Sequence, residues 1–173
     1  DGATHWTLDP ATSKYVLYGR TKRISDEVRA AWGGQEWFSR HWGRAVARVE
    51  SPDFVTWDIT DAREAPVVLA VDPADRPGDE IYSMMVFPYQ GVYIGLVQVF
   101  HNMPDDCTLD LQLAVSRDTH TFVRVGDRSP FIPLGGIGEW DRFNLSPANN
   151  PPIEVGDELR FYYGGRPYRH SPY

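Results

Sequence analysis

One short stretch of the sequence recurs with the same neighbours, and this recurrence constrains the fold more than any other feature. Residues 51–57 read SPDFVTW and residues 116–122 read SRDTHTF, with serine, aspartate and an aromatic residue at matching positions. Each copy follows a hairpin pattern and a third strand pattern, and a fourth strand pattern comes after it. Four-stranded units repeated in series are typical of β-propeller blades.

Runs of aromatic and β-branched residues separated by turn residues supply the strands. The first unit contains YVLYGR at 15–20, RAVARVE at 44–50 and VVLAV at 67–71, and the second contains IYSMMVF at 81–87, VYIGLVQVF at 92–100, LDLQLAV at 109–115 and FVRVG at 122–126. We therefore predict an all-β chain with about two and a half four-stranded antiparallel propeller blades, at residues 1–72, 79–126 and, in part, 139–173. A β-sandwich also has many short strands, but it does not require this recurring order.

The recurring Ser-x-Asp pattern itself predicts a tight turn. Serine and aspartate side chains accept hydrogen bonds from backbone N–H groups one or two residues further on, which fixes a chain reversal. Equivalent turns on successive blades point to successive places around a rim rather than to one site. We therefore predict a structural role for Ser51, Asp53, Ser116 and Asp118.

Residues 21–43 form an insertion between the second and third strands of the first unit. The segment SDEVRAAW predicts a short helix with Ser25 as its N-cap and Gly33 at its end. Trp32, Trp37 and Trp42 lie in the insertion. Their rings either attach the insertion to the blade, which we favour, or form an aromatic platform for a sugar.

The inner strand of every propeller blade begins near the central axis, and each predicted inner strand begins with an acid. Asp1, Asp79 and Asp141 are the candidate catalytic residues, with Glu80 and Glu139 as alternates from the same strand starts. Carboxylates gathered in one pocket shift each other's pKa values and can supply the acid and the base of glycosidic bond cleavage. Side chains near these starts and near the last strand are the candidate substrate-binding residues: Trp6, Tyr82, Trp140, Arg166 and His170.

Other candidate residues carry less specific signals. His5, His101 and His170 could join an axial pocket, although single histidines more often have structural roles. Arg20 and Arg166 end equivalent strands and could either bridge blades or bind a substrate hydroxyl, and we favour bridging. We predict no metal site and no cofactor, because the sequence has neither a metal-ligand spacing nor a phosphate-binding loop.

Charge and composition limit the partners. The formal net charge of -7 disfavours nucleic acid and anionic membrane surfaces, and the apolar runs are too short to span a bilayer. Cys107 is the sole cysteine and gives no indication of the redox compartment. Secretion or a periplasmic location would follow if a signal peptide had been removed.

The succession WTLDPATSKYVLYGR, SPDFVTW, GDEIYSMMVFPYQGVYIGL, LQLAVSRDTHTFVRVGDRSPFIPLG, WD and LRFYYGGRPYRH resembles bacterial proteins grouped with the N-terminal propeller of glycoside hydrolase family 32, which is related to family 43. The resemblance covers nearly the whole chain. It implies a five-bladed propeller with three essential acids in an axial pocket, to which Asp1, Asp79 and Asp141 correspond by position. The Asn-Asp-Pro, Arg-Asp-Pro and Glu-Cys motifs of family 32 do not occur.

Three functions are compatible with these patterns. The first is hydrolysis of a glycoside in an acidic axial pocket. The second is carbohydrate binding without catalysis, and the third is an interaction scaffold. Because half a propeller exposes blade edges, we expect the remaining blades to come from a longer chain or from another copy.

Overall fold

The computed structural model describes residues 4–33, 43–59, 61 and 64–171. This part of the chain is all-β, as predicted, apart from helix α1 (Asp26–Ala31). Its strands are β1 (His5–Asp9), β2 (Lys14–Lys22), β3 (Arg44–Ser51), β4 (Val67–Leu69), β5 (Asp79–Tyr89), β6 (Val92–His101), β7 (Thr108–Ser116), β8 (Val123–Arg124), β9 (Asn144–Pro147), β10 (Ile153–Val155), β11 (Glu158–Arg160) and β12 (Tyr163–Arg166). Within the described ranges, no helix has the length and apolar character needed to cross a membrane.

Strands β1 to β4 form the first sheet, an antiparallel sheet in which neighbours in sequence are also neighbours in space. Helix α1 lies in the connection between β2 and β3 and begins where predicted. The side chain of Ser25 accepts a hydrogen bond from the backbone N–H of Val28 at 3.2 Å, which caps the helix. Trp32 follows the helix and is buried in the main core cluster, so its ring attaches the insertion to the sheet. Trp37 and Trp42 lie outside the described residues.

Strands β5 to β8, β9 and β12 form the second sheet, in the order β12-β9-β7-β6-β5 with β8 also paired to β7. The strand β9 joins through a parallel pairing in which Leu109 of β7 lies opposite Asn144. Strand β12 then pairs antiparallel with β9. A hairpin around Gly156 forms β10 and β11, in a separate two-stranded sheet.

The hydrophobic core lies on both faces of the second sheet. On one face, Ile81, Met84 and Val97 pack with Val16 and Val46 of the first sheet. On the other face, Met85, Phe87, Leu96, Leu111 and Leu145 form a second cluster. Burial on both faces explains why β5 and β6 read as nearly continuous apolar runs rather than as alternating patterns.

The first and second sheets are both open. Packing of two mainly antiparallel sheets face to face across one apolar cluster is compatible with neighbouring blades, but a closed ring of blades requires more sheets than these. The propeller, and the blade boundaries at 1–72, 79–126 and 139–173, therefore stay predictions.

The recurring Ser-x-Asp pattern forms the same turn in both copies, which confirms its predicted structural role. Asp53 Oδ1 accepts hydrogen bonds from the backbone N–H groups of Val55 (2.9 Å) and Thr56 (2.7 Å). Asp118 Oδ1 accepts the equivalent bonds from residues 120 (2.9 Å) and 121 (2.8 Å). These bonds favour the ionised carboxylates, so the pKa of Asp53 falls to about 2 and that of Asp118 is also lowered.

The backbone of the two turns matches as closely as the hydrogen bonds do. The residue after each aspartate, Phe54 or Thr119, has a positive φ, at 64° and 65° respectively. Such a conformation is unusual for a residue with a side chain, because Cβ comes close to the following carbonyl oxygen. The hydrogen bonds of the turn hold it in place.

Replacing Asp118 by alanine is expected to lower the free energy of unfolding by about 1 kcal/mol, because two backbone N–H groups lose their acceptor. Urea unfolding measures this loss. The exposed neighbour His120 offers a matched control, since a His120→Ala variant keeps every backbone bond of the turn. Equal stability of the Asp118→Ala variant and the wild type would contradict the structural role.

Candidate functional site

The candidate site is a polar cavity of about 380 Å³, the first cavity, where the first sheet meets the β5 edge of the second. Among the described residues, seven strands contribute to it: β1 and β2 of the first sheet, and β5, β6, β7, β9 and β12 of the second. Its lining residues are His5, Arg20, Tyr82, Ser83, Gln98, Leu109, Asn144, Ser146, Pro147, Asn149, Arg166 and His170.

A β-bulge in β5 places two consecutive side chains in this cavity. Ile81 pairs with Val99 and Ser83 pairs with Gln98, so Tyr82 is the extra residue between them. A bulge interrupts the alternation of side chains between the two faces of a sheet. Tyr82 and Ser83 can therefore both line the first cavity, although they are neighbours in sequence.

His5 lies at the start of β1 and is buried, with 4% of its surface exposed. Burial disfavours the charged imidazolium and lowers the pKa of His5 to about 4. The imidazole is therefore neutral at pH 7. Its Nδ1 atom has no hydrogen-bond partner among the described residues, although it belongs to a residue that lines the cavity.

The Tyr82 hydroxyl and the His170 imidazole lie 3.2 Å apart and form one wall. His170 Nδ1 is 2.8 Å from the carbonyl oxygen of Ser171, which accepts a hydrogen bond and so places a proton on Nδ1. In the neutral ring, Nε2 then accepts from the Tyr82 hydroxyl. The guanidinium carbons of Arg20 and Arg44 lie 4.7 and 5.2 Å from the centroid of the Tyr82 ring, so the ring contacts cations.

Ser83 and Gln98 form a second part of the wall, and hydrogen bonds fix the orientation of both side chains. The Ser83 hydroxyl donates to Gln98 Oε1 at 2.9 Å, and Gln98 Nε2 donates to the carbonyl oxygen of Leu145. Both side chains are almost fully buried. The chain of bonds fixes the orientation of the Gln98 amide, and it connects the wall to β9.

The wall of the first cavity combines cations with neutral hydrogen-bonding groups. It includes the guanidinium groups of Arg20 and Arg166, two imidazoles, side-chain amides and hydroxyls. Within the described part of the chain, no carboxylate lines it. Such a wall can bind a ligand with several hydroxyl groups, and it can bind an anion.

The predicted catalytic acids lie in different places. Asp79 is buried and lines a second cavity, on the other face of the second sheet. The alternate Glu80 is 1% exposed, forms an ion pair with Arg44 and accepts a hydrogen bond from the Gly43 N–H at 3.0 Å. Burial outweighs these partners and raises the pKa of Glu80.

Asp141 and Glu139 precede β9 rather than beginning it. Asp141 is buried and accepts a hydrogen bond from the Tyr163 hydroxyl at 2.9 Å, whereas Glu139 is exposed. Neither lines the first cavity. Asp1 lies outside the described residues. The catalytic assignment of these acids stays a prediction.

The five predicted substrate-binding residues divide into two groups. Tyr82, Arg166 and His170 line the first cavity together. Trp140 is half exposed and stacks on Tyr163, with the ring centroids 5.5 Å apart. Trp6 is also half exposed and belongs to an aromatic cluster on the first sheet, formed with Tyr15, Phe54 and Trp57.

The second cavity has a volume of about 410 Å³ and contains an ionic network. His101 Nδ1 is 2.6 Å from Asp79 Oδ1, and His101 Nε2 is 3.0 Å from Asp110 Oδ2. Burial alone would lower the pKa of His101, but the hydrogen bonds and charges of Asp110 and Asp79 raise it to about 9. The imidazolium therefore bridges two carboxylates at pH 7.

Arginines pair with further carboxylates at and beside the second cavity. Arg124 Nη1 lies 3.4 Å from Asp75, and Arg128 lies within 2.9 Å of both Asp75 and Asp72. Arg124 also donates to Gln112. Within the described ranges, no group of three or more His, Cys, Asp or Glu side chains is arranged to hold a metal ion.

Several cavity residues lay outside the sequence-based predictions. Ser83, Gln98, Asn144, Ser146 and Asn149 were not candidates, because each is a neutral polar residue that belongs to no motif. Asn144 and Ser146 alternate with Leu145, which is buried. This period-2 pattern is the signal that could have placed both on one face of a strand.

Comparisons with known proteins show similarity of fold rather than of sequence. No protein-family model matches the chain, and no curated protein matches it in sequence. An N-acetylgalactosamine deacetylase from F. plautii in complex with blood group B trisaccharide has a TM-score of 0.61 at 19% identity, over 92% of this chain and 39% of its own. A glycoside hydrolase has a TM-score of 0.62 at 14% identity, and the match covers 94% of this chain and 41% of the hydrolase. A structure described as a BT0996 RGII complex has a TM-score of 0.55 at 13% identity, and the match covers 98% of this chain and 48% of the other. The chain spans less than half the length of these neighbours.

The stability of the protein is expected to fall as the pH rises from about 6.5 to about 9. The folded pKa of His101 exceeds its ordinary value of 6.5, so its stabilising contribution is complete below pH 6.5 and is lost as the imidazolium deprotonates. The shift corresponds to about 3 kcal/mol. Urea unfolding of wild type and a His101→Gln variant across this range isolates the contribution, since other titrating groups are common to both.

An NMR titration of the His101 ring in the wild-type protein measures the same pKa directly and does not depend on the variant folding. His120→Gln, on the surface, is the matched control for histidine removal. A His101 pKa near 6.5, or an identical pH slope in wild type and His101→Gln, would contradict the bridging imidazolium.

Proposed function

We propose that this chain binds a carbohydrate, and that the first cavity holds the saccharide. The observation that carries the proposal is the wall of the cavity, where neutral amides, hydroxyls and a neutral imidazole from strands of both sheets face one space. Sugar hydroxyls both donate and accept hydrogen bonds, so they match a wall that offers both kinds of group.

The positions of these groups favour a specific site over a solvent-filled gap. Ser83 and Gln98 are held by their own hydrogen bonds, and the Tyr82 hydroxyl is held by His170. Such groups lose little side-chain entropy when a ligand binds, which improves affinity. His5 adds a buried nitrogen whose hydrogen bond a ligand hydroxyl can supply.

The fold neighbours support the same class of ligand. One is a deacetylase in complex with a trisaccharide, and another is a glycoside hydrolase. We infer that the two packed sheets are blades of a five-bladed propeller of the carbohydrate-active type, as the resemblance to families 32 and 43 implies. In this arrangement the first cavity would lie where inner strands converge.

Binding is expected to depend on Asn149, an exposed residue of the cavity wall. Replacing it by leucine, which has a similar shape, removes amide hydrogen bonds to sugar hydroxyls and should weaken binding roughly tenfold. A glycan array identifies a ligand, and isothermal titration calorimetry measures its affinity. Asn150→Leu changes an adjacent exposed amide that does not line the cavity, so this control should bind like the wild type.

Two results would overturn the carbohydrate site. One is the failure of the folded chain to bind any saccharide on the array. The other is an equal loss of affinity in the Asn149→Leu and Asn150→Leu variants, since the ligand would then lie outside the first cavity.

Glycoside hydrolysis is the second candidate function, and the raised pKa of Glu80 favours it. A carboxyl whose pKa is raised suits protonation of a leaving sugar oxygen. Glu80 is two residues before Tyr82, and its partner Arg44 contacts the Tyr82 ring. In this hypothesis Asp1, Asp79 and Asp141 supply the remaining carboxylate chemistry.

Hydrolysis is tested with a panel of aryl glycosides. Glu80→Gln, Asp79→Asn and Asp141→Asn should each lower kcat by at least about a hundredfold if their carboxyls act on the glycosidic bond. Asp127→Asn, in an exposed turn, is the control. Turnover that persists undiminished in all three variants would exclude these acids, and saccharide binding without turnover would leave the binding function alone.

A further inference from the structure

We propose that the first cavity selects a sugar that carries a carboxylate, such as a hexuronic acid, and that Arg166 binds this carboxylate. The inference rests on the proposed carbohydrate function and names the substrate class of the same site. It follows from the charge of the cavity, from the surroundings of Arg166 and from the unpartnered nitrogen of His5.

The charge of the first cavity is opposite to that of the whole chain. The chain carries a formal net charge of -7, whereas two guanidinium groups and, within the described residues, no carboxylate line the cavity. Among the described residues, a concave wall that contains arginines and no carboxylate has a positive local potential. A positive potential attracts an anionic sugar, whereas it does not attract a neutral sugar.

Arg166 differs from the arginines around the second cavity. Arg124 and Arg128 are paired with aspartates, whereas Arg166 has no ion pair within the described part of the chain. Its guanidinium carbon lies 5.9 Å from the centroid of the Tyr168 ring. At this distance the ring attracts the guanidinium, and the N–H groups of the guanidinium can still donate to a ligand.

The backbone around Arg166 is fixed by strand pairing. Arg166 lies opposite Asn144 in the β12 and β9 pair, and its carbonyl oxygen accepts a hydrogen bond from the backbone N–H of Phe143 at 3.2 Å. The planar fork of a guanidinium matches the two oxygens of a carboxylate, and such charge-assisted pairs are among the stronger hydrogen bonds. Arg166 is therefore placed and shaped to bind a carboxylate.

His5 is the independent observation that points to a sugar rather than to a simple anion. Its Nδ1 atom is buried and has no hydrogen-bond partner within the described part of the chain, and an unsatisfied buried polar atom costs free energy unless a ligand or water bonds to it. Because its pKa is about 4, the ring is neutral and adds no charge. A ligand that satisfies both His5 and Arg166 has a hydroxyl group and a carboxylate in one molecule.

The test compares acidic oligosaccharides with their methyl esters, which differ only in charge and a methyl group. Oligogalacturonate and oligoglucuronate, each with its methyl ester, are titrated into the full chain by calorimetry. The wild type should bind at least one acid about tenfold or more tightly than its ester. Raising NaCl from about 50 to about 500 mM should weaken binding of the acid but not of the ester.

Substitutions assign the preference to Arg166. Arg166→Gln should lower affinity for the acid at least about tenfold and leave affinity for the ester within about twofold. Arg166→Lys keeps the positive charge but lacks the planar guanidinium, so its affinity for the acid should lie between those of Arg166→Gln and the wild type. Arg160→Gln is the matched control, because Arg160 is exposed on β11 and pairs with Glu158. Circular dichroism and melting temperatures check that the exposed substitutions leave the fold intact.

The outcomes separate this inference from the carbohydrate function. Equal affinity for acid and ester, with both lowered by Asn149→Leu, overturns the carboxylate preference and keeps the carbohydrate site. Binding of acetate or inorganic phosphate as tight as that of the acidic sugar overturns the sugar component. If the chain binds no saccharide at all, both proposals fail.

Discussion

Burial of both faces of the β5–β6 hairpin is the interaction on which the rest of the structure depends. One face packs against the first sheet, and the other packs against β9 and the segments on either side of it. Each fully buried large apolar side chain contributes on the order of 1.5 to 3 kcal/mol, and this hairpin contributes several of them. Without it, the first sheet and the short strands β9 and β12 would share no core.

The same hairpin determines where polar chemistry can lie. Alternation along a strand sends Asp79 and Ile81 to the face of the first sheet, and the bulge then places Tyr82 and Ser83 together on the opposite side. The two cavities therefore lie on opposite faces of the second sheet, although Asp79 and Tyr82 are close in sequence. The ionic network lies on one face of the second sheet, and the polar wall of the first cavity lies on the other face.

Local features of the fold could be predicted from the sequence because neighbouring residues determine them. The hairpins, the capped helix and the Ser-x-Asp turns require contacts between residues a few positions apart. The pairing of β9 with β7 could not be predicted, since it joins Asn144 to Leu109 across the chain and leaves no local pattern. The start of β9 was placed at the acids near residue 139, whereas the strand begins at Asn144, after a turn-rich segment.

The candidate site was harder to predict because an acid at a strand start has two physical uses. When it lies close to other acids, it can support catalysis. When arginine and histidine surround it, it stabilises the fold. The residue type is the same in both cases, and only the partners from distant strands distinguish them. Asp79 has His101 as its partner, and Glu80 has Arg44. Because the fold pairs so many of its carboxylates internally, an acidic chain can form a cavity that, among the described residues, is lined by arginines and by no carboxylate.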